Sequence, residues 1–251
     1  MKLNQGSDTI AAVICAAGVS SRMAGVKKEY RLLPTRDQHK KGLTVLGAAV
    51  SAFAAVPEIS AIVIAVPDNC ESGETAARNA LPPELLEGKT GALIHFIPGS
   101  KTRRASVFNA LNRLSAFNPG YVLIHDGARP WISPDLIRRI IAAVKNHGAV
   151  IPLMPLTETP KETDSPFGAS SDDAQPIYIK NHLKRAVTGT AQTPQAFTFA
   201  EILGAHQKAA VQGAGIEFTD DAEVWAAFCG PVAVIPGEAA NRKITFPEDI
   251  C

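Results

Sequence analysis

Apolar residues fall into short, β-branched runs that alternate with longer stretches of helical spacing. TIAAVICAA (9–17), ISAIVIAV (59–66), ALIHFI (92–97), YVLIHD (121–126) and AVIPLMP (149–155) are each followed by turn residues or a helix-like segment. TVLGAAVSAFAAV (44–56), KTRRASVFNALNRLSAF (101–117) and SPDLIRRIIAAVKNHG (133–148) repeat apolar residues at helical spacing, the last opening on the N-cap candidate Ser133 and stopping at Gly148. Strand runs this apolar suit positions covered on both faces. The pattern therefore predicts a mostly parallel sheet with right-handed crossovers, a Rossmann-like doubly wound α/β core.

The alternation breaks between Thr157 and Lys180. TETPKETDSPFGASSDDAQPIYIK is polar, rich in Pro, Ser and Asp, and ends in the strand-like PIYIK, so it reads as an arm leaving the core. After it, TFAEILGAHQKAAVQG and TDDAEVWAAFCG read as helices, and PVAVIPG and RKIT as strands. With no internal repeat or low-complexity tract, the 251 residues suit a single domain over 1–251 with an inserted arm at 157–182.

Composition mainly excludes. Hydrophobic residues at 46% and charged residues at 20% are those of an ordinary globular chain, not a disordered one. The net charge is +1 and the charges are interspersed, so no global field draws a nucleic acid or an anionic membrane; any anion site must be local. MKLNQGSDTI lacks an apolar signal region, and no run reaches about 18 apolar residues, which leads to the expectation of a cytoplasmic protein. Cys15, Cys70, Cys229 and Cys251 form no CxxC pair or metal-ligand spacing, as expected of free thiols in a reducing compartment.

In such a sheet ligands bind beyond the carboxyl ends of the strands. The first loop there is Ala16-Ala17-Gly18-Val19-Ser20-Ser21-Arg22-Met23, where small residues let backbone N–H groups approach a phosphate and Arg22 adds a charged fork. It is neither GxGxxG nor a P-loop, and a tight turn with solvated cations accounts for it equally well when taken alone. Pro98 to Val107 forms a second strand-to-helix junction with glycine, hydroxyls and three cations, suited to a nucleotide at a helix N-terminus or to a plain capped basic helix. His125-Asp126-Gly127-Ala128-Arg129-Pro130 places a carboxylate at a strand end, where it could hold a divalent cation or a ribose hydroxyl. Gln192-Thr193-Pro194-Gln195, Thr219-Asp220-Asp221 and Asn241 to Thr245 are polar punctuation that caps or turns would also explain. No hydrolase triad order, HExxH or zinc spacing is present.

As a set, AAGVSSRM with KKEY, GSKTRRASV, HDGARP, TETPK, QTPQAF, and FTDD followed by NRKITFPEDI resemble the 2-C-methyl-D-erythritol 4-phosphate cytidylyltransferases of the non-mevalonate isoprenoid pathway. The resemblance runs from about Ala11 to Ile250. It implies attack by the phosphate of methylerythritol phosphate on the α-phosphorus of CTP, with Mg²⁺, giving the cytidine diphospho product and pyrophosphate. It implies catalytic roles for Arg22, Lys28 and Lys243, the last approaching the α-phosphate from the far side. Ala16, Ala17, Gly18, Ser100, Ser106, Asp126 and Gly127 would line the CTP site, Asp126 being also a candidate for proximity to the metal. Thr193, Thr219 and Asp220 would face the sugar phosphate. Thr159 and Arg185, on the arm, would reach the substrate phosphate of the neighbouring subunit, so a homodimer is implied.

The sequence departs from the family pattern at Ser20, where glycine is usual, at Lys27, where proline is usual and which is expected to face solvent, and at Lys101, a position commonly acidic. RLLPTRDQHKKGL (31–43) resembles an insertion, and relatives continue beyond Cys251. The same chemistry on ribitol 5-phosphate, and a nucleotide-binding regulator without turnover, are the alternative readings.

Overall fold

Ile10–Cys15 forms β1, the strand on which the rest of the sheet is hung. In this computed structural model the described residues are 8–18, 20, 23, 27–34, 42–68, 71–89, 91–166, 176–212 and 217–250. On one side β1 pairs in parallel with β2 (Ile59–Val66), which pairs with β3 (Leu93–Pro98); on the other it pairs with β4 (Tyr121–Asp126). Register brings Cys15 opposite Ala65 and Asp126, and Val66 opposite Pro98, so four strands end along one edge. That edge carries the loops singled out in the sequence.

The sheet continues from β4 through β9 (Gln195–Thr198) to β5 (Ala149–Pro155) and β10 (Ala233–Pro236), with β8 (Gly189–Ala191) also on β5. β9 runs antiparallel to both β4 and β5, and β8 antiparallel to β5; the other pairings in this sheet are parallel. The doubly wound, mostly parallel sheet is therefore as expected, while the central antiparallel β9 is an addition.

Alternation along β1 separates two cores. Ile10, Ala12 and Ile14 face α1 (Val45–Ala54) and α5 (Pro134–His147), whereas Ala11 and Val13 face α4 (Arg103–Leu114) and α6 (Phe199–Gln212). The helices start where a hydroxyl can replace the missing intrahelical acceptor: Thr44, Thr102 and Ser133 accept from Gly47, Ala105 and Leu136 N–H groups. α5 stops at Gly148, whose φ of 76° suits glycine.

Two short helices, α2 (Glu71–Asn79) and α3 (Pro83–Leu86), were not read from the sequence, because ESGETAARN carries too few apolar residues to show a face. Helix α7 (Asp221–Phe228) forms as expected. RKIT is not a strand: residues 242–245 are irregular, and Ile244 is fully buried with Met23 and Val45, its N–H bonded to the Ala128 carbonyl at 2.8 Å. Its β-branched residues seat a loop beside the sheet edge instead of pairing. Within the arm, β6 (Lys161–Thr163) pairs antiparallel with β7 (Ile179–His182), so the strand lies later than PIYIK suggested.

Candidate active site

A cleft of about 340 Å³ opens at the carboxyl ends of β1 and β4. Ala17, Gly18, Lys28, Ser100, Ser106, Asp126 and Lys243 line it, so four distant segments meet there. Two glycines permit the close approach. A side chain at Gly99 would meet the Ala17 Cβ at 2.3 Å, and one at Gly127 the Cys15 carbonyl at 3.0 Å, so the three loops touch through backbone. Ala16 anchors the first loop, its N–H bonded to the Ala65 carbonyl, and Gly127 donates to Cys15. Ser106 is turned inward: its hydroxyl donates to the Thr102 carbonyl and accepts from the Ser100 N–H, both at 2.9 Å, fixing the second loop.

Asp126 is the electrostatic centre. Its Oδ2 lies 2.9 Å from Lys243 Nζ and 3.5 Å from Arg129 Nε, and its Oδ1 lies 3.4 Å from Arg103 Nε. Burial alone would raise this carboxyl, but Arg103, Lys243 and Arg129 together hold it far below the usual carboxylate range. Lys28, almost buried, donates to the Ile244 carbonyl at 2.7 Å. The two lysines therefore stand on segments tied to each other, Lys28 gripping the residue after Lys243. Arg22 lies outside the described residues, as does Cys70.

The first loop explains two departures. Ser20 has a φ of 52°, a left-handed conformation that glycine adopts freely; it is held by Ser20 Oγ donating to Glu29 and accepting from the Lys28 N–H. Lys27 does not simply face solvent. Its ammonium donates to the Gly18 carbonyl, pairs with Glu29 at 3.2 Å and lies 5.9 Å over the Tyr30 ring, bridging both limbs of the loop. Burial lowers its pKa. Lys101 is exposed at the rim.

Behind the cleft, Thr193 is buried and its hydroxyl accepts the Asp126 N–H at 3.0 Å. It also lies 2.9 Å from His125 Nδ1. Burial pushes His125 down to about 4, so the ring is neutral; its Nε2 faces the Arg129 carbonyl and must carry the hydrogen, which makes Thr193 the donor to Nδ1. Asp220 caps α7, accepting from the Glu223 N–H and from Gln195 Nε2, while Thr219 is exposed beside it. Thr159 and Arg185 are exposed on the arm and do not line the cleft; Arg185 donates to the Thr157 carbonyl at 2.8 Å, tying the two ends of the arm together.

Residues to which sequence reading gave no individual role complete the arrangement. Arg103 was visible only as one of three cations in a motif; its Nη1 bonds Asp221 Oδ2 at 2.8 Å. Gln192 and Asn241 form a polar brace beneath Lys243: Asn241 Nδ2 donates to the Thr193 carbonyl, and Arg129 to the Asn241 carbonyl, both at 2.8 Å. Cys15 lines the cleft with its thiol pushed up to about 12 by burial, so it is a neutral wall and not a nucleophile.

A mostly parallel sheet whose carboxyl edge gathers backbone amides, hydroxyls and lysines around one cleft defines an α/β nucleotidyltransferase. The family model for IspD, 2-C-methyl-D-erythritol 4-phosphate cytidylyltransferase, matches residues 10–251. The chain belongs to the IspD family. A Bradyrhizobium sp. (strain ORS 278) protein named bifunctional enzyme IspD/IspF is 39% identical over 249 residues, covering 97% of this chain and 55% of that protein. The chain thus spans about half the length of such curated relatives. Among solved structures, the 4-diphosphocytidyl-2C-methyl-D-erythritol synthase from Anaerococcus prevotii DSM 20548 is similar at a TM-score of 0.71 and 28% identity, covering 96% of this chain and 94% of that one. The 2-C-methyl-D-erythritol 4-phosphate cytidylyltransferase from Thermus thermophilus is similar at 0.68 and 29%, covering 96% and 95%.

Proposed function

We propose that this protein transfers the cytidylyl group of CTP to 2-C-methyl-D-erythritol 4-phosphate, releasing pyrophosphate, in isoprenoid precursor synthesis. The observation that carries the reading is the convergence of Lys28, Lys243 and Arg103 on a cleft built from backbone amides and hydroxyls. The attacking phosphate oxygen is already anionic, so the reaction needs no strong base. It needs two repelling anions aligned and charge on the α-phosphate stabilised, which fixed ammonium groups in a partly dry site do well.

In this reading Arg22, Lys28 and Lys243 act on the triphosphate. Asp126 holds Lys243 in place until phosphate oxygens share its charge. Ala16, Ala17, Gly18, Ser100, Ser106 and Gly127 shape the nucleotide site; Thr219 and Asp220 would border the acceptor from outside the cleft lining, and Thr193 would support that side from behind through Asp126.

Among the described residues no group of three His, Cys, Asp or Glu side chains could hold a metal ion. Asp126 already pairs with Lys243, Arg129 and Arg103, so Mg²⁺ would be held mainly by the phosphate oxygens of CTP, with Asp126 nearby. Such a cation would neutralise phosphate charge.

The arm exposes Tyr178, Ile179 and Val187, of which Val187 is 83% exposed, and a second subunit covering that surface completes the proposal of a homodimer with Thr159 and Arg185 reaching the partner's acceptor site. A single domain carrying the arm, in the cytoplasm, belongs to the same reading; no helix among the described residues is long and apolar enough to cross a membrane.

The test is pyrophosphate release from CTP with methylerythritol phosphate, ribitol 5-phosphate or no acceptor. Release and the cytidine diphospho product with the first alone are expected. Faster turnover of ribitol phosphate, or CTP binding without any product, would overturn the assignment.

A further inference from the structure

We infer that His206, which does not line the cleft, is a positioning residue that aims Arg103 at the nucleotide by way of Asp221. The inference rests on the CTP-dependent reading above. His206 sits on α6 with no exposed surface, its ring stacked on Phe108 at 8° and 6.3 Å between centroids. Packing alone does not explain a histidine there, because both ring nitrogens are buried without a well-aligned hydrogen-bond partner among the described residues, and an apolar ring would avoid that cost.

What the imidazole meets instead is a carboxylate. Its Nε2 lies 3.2 Å from Asp221 Oδ1, and Asp221 is 1% exposed. The other carboxylate oxygen takes Arg103 Nη1 at 2.8 Å. Arg103 then turns its Nε edge toward Asp126, 3.4 Å away, and Asp126 pairs with Lys243. A continuous file of charged groups thus runs from the packing between α4, α6 and α7 to the cleft lysine.

The backbone end of this file is fixed separately, since the Asp221 N–H donates to Gln195 Oε1 at 3.0 Å. The side chain of Asp221 still has its own torsions. His206 Nε2, 3.2 Å from Oδ1, restricts them by polar contact and by bulk, leaving Oδ2 for the guanidinium. Burial works against the charge of Arg103, but Asp221 and Asp126 raise its pKa well above the ordinary value, so Arg103 stays cationic and its direction is what Asp221 decides. A loosened Asp221 would let Arg103 swing toward Asp126 and compete with Lys243.

Two variants separate positioning from packing. His206→Phe keeps a ring against Phe108 and loses both nitrogens; His206→Gln keeps an N–H donor. Calorimetry with CTP alone, steady-state KM and kcat for each substrate, and thermal midpoints are measured on the full chain. His206→Phe is expected to weaken CTP binding and raise its KM about tenfold, the size of one weakened charge-assisted hydrogen bond, with the acceptor KM unchanged. His206→Gln is expected to stay within about twofold of wild type, as a retained donor implies.

Wild-type CTP affinity in folded His206→Phe would overturn the inference, as would equal weakening in both variants. Should His206→Phe not fold, His206→Met replaces it with the same two outcomes. If the wild-type protein binds CTP but transfers it to no acceptor, the proposed function fails, while the split between the variants in calorimetry still supports the role of His206.

Discussion

Two lysines and one histidine carry opposite kinds of consequence. If, as proposed, Lys28 and Lys243 act on charge that develops during reaction, Lys28→Ala or Lys243→Ala is expected to lower kcat by about 10²-fold to 10³-fold. The fold should persist, as checked by circular dichroism beside the kinetic assay; near-normal kcat would remove both from the catalytic set. His125 acts on stability. It is buried neutral with a pKa near 4, whereas an unfolded histidine titrates near 6.5. Between those values the unfolded chain takes up a proton that the folded chain refuses, so stability falls as pH falls, by about 3 kcal/mol across the window. Urea unfolding midpoints from pH 7 to pH 4 should show that slope, and His125→Gln should flatten it while lowering stability at pH 7.

At the scale of elements, α7 shows how motifs that look like substrate contacts also build the site. Gln195 Oε1 accepts from the N–H groups of both Asp221 and Ala222, and its Nε2 binds Asp220, so β9 caps the helix whose first residue orients Arg103. Asp220→Ala should cost about 1 kcal/mol through the lost cap. Gln195→Leu should cost about 2 kcal/mol, because two helix N–H groups are left buried and unpaired. Denaturation measures both, and a neutral Gln195→Leu would show that α7 needs no such cap. The long parallel strands were legible because each is one apolar run; β9 was not, being four residues that begin at the polar Gln195 directly after a proline. The cleft-lining loops were legible for a similar reason, since small residues and cations follow each strand directly. Arg103, Asp221 and His206 were not, because their contacts join α4, α7 and α6 across more than a hundred residues of chain in one case, and no local spacing encodes that. Lys27 was misread for want of Glu29 and the Gly18 carbonyl, partners that only the folded loop supplies.

At the scale of the whole molecule, the proposed homodimer assigns the arm of one chain to the site of the other. Arg185 and Thr159 are exposed and are not among the residues lining the cleft in their own chain, and β7 carries exposed Ile179 next to Tyr178. If a second chain covers that exposed surface, each acceptor site takes its core from one chain and its arm from the other. Arg185→Ala should then raise the KM for the acceptor phosphate and leave CTP affinity nearly unchanged, because its cation lies away from the nucleotide. Lys243→Ala should disable chemistry in the core and leave the arm sound. Unfolded together and refolded as a mixture, the two variants should recover activity that neither shows alone, since a mixed dimer pairs an intact core with an intact arm. Arms acting within their own chain would give no recovery, because every chain in the mixture would carry one defect in the site it must complete.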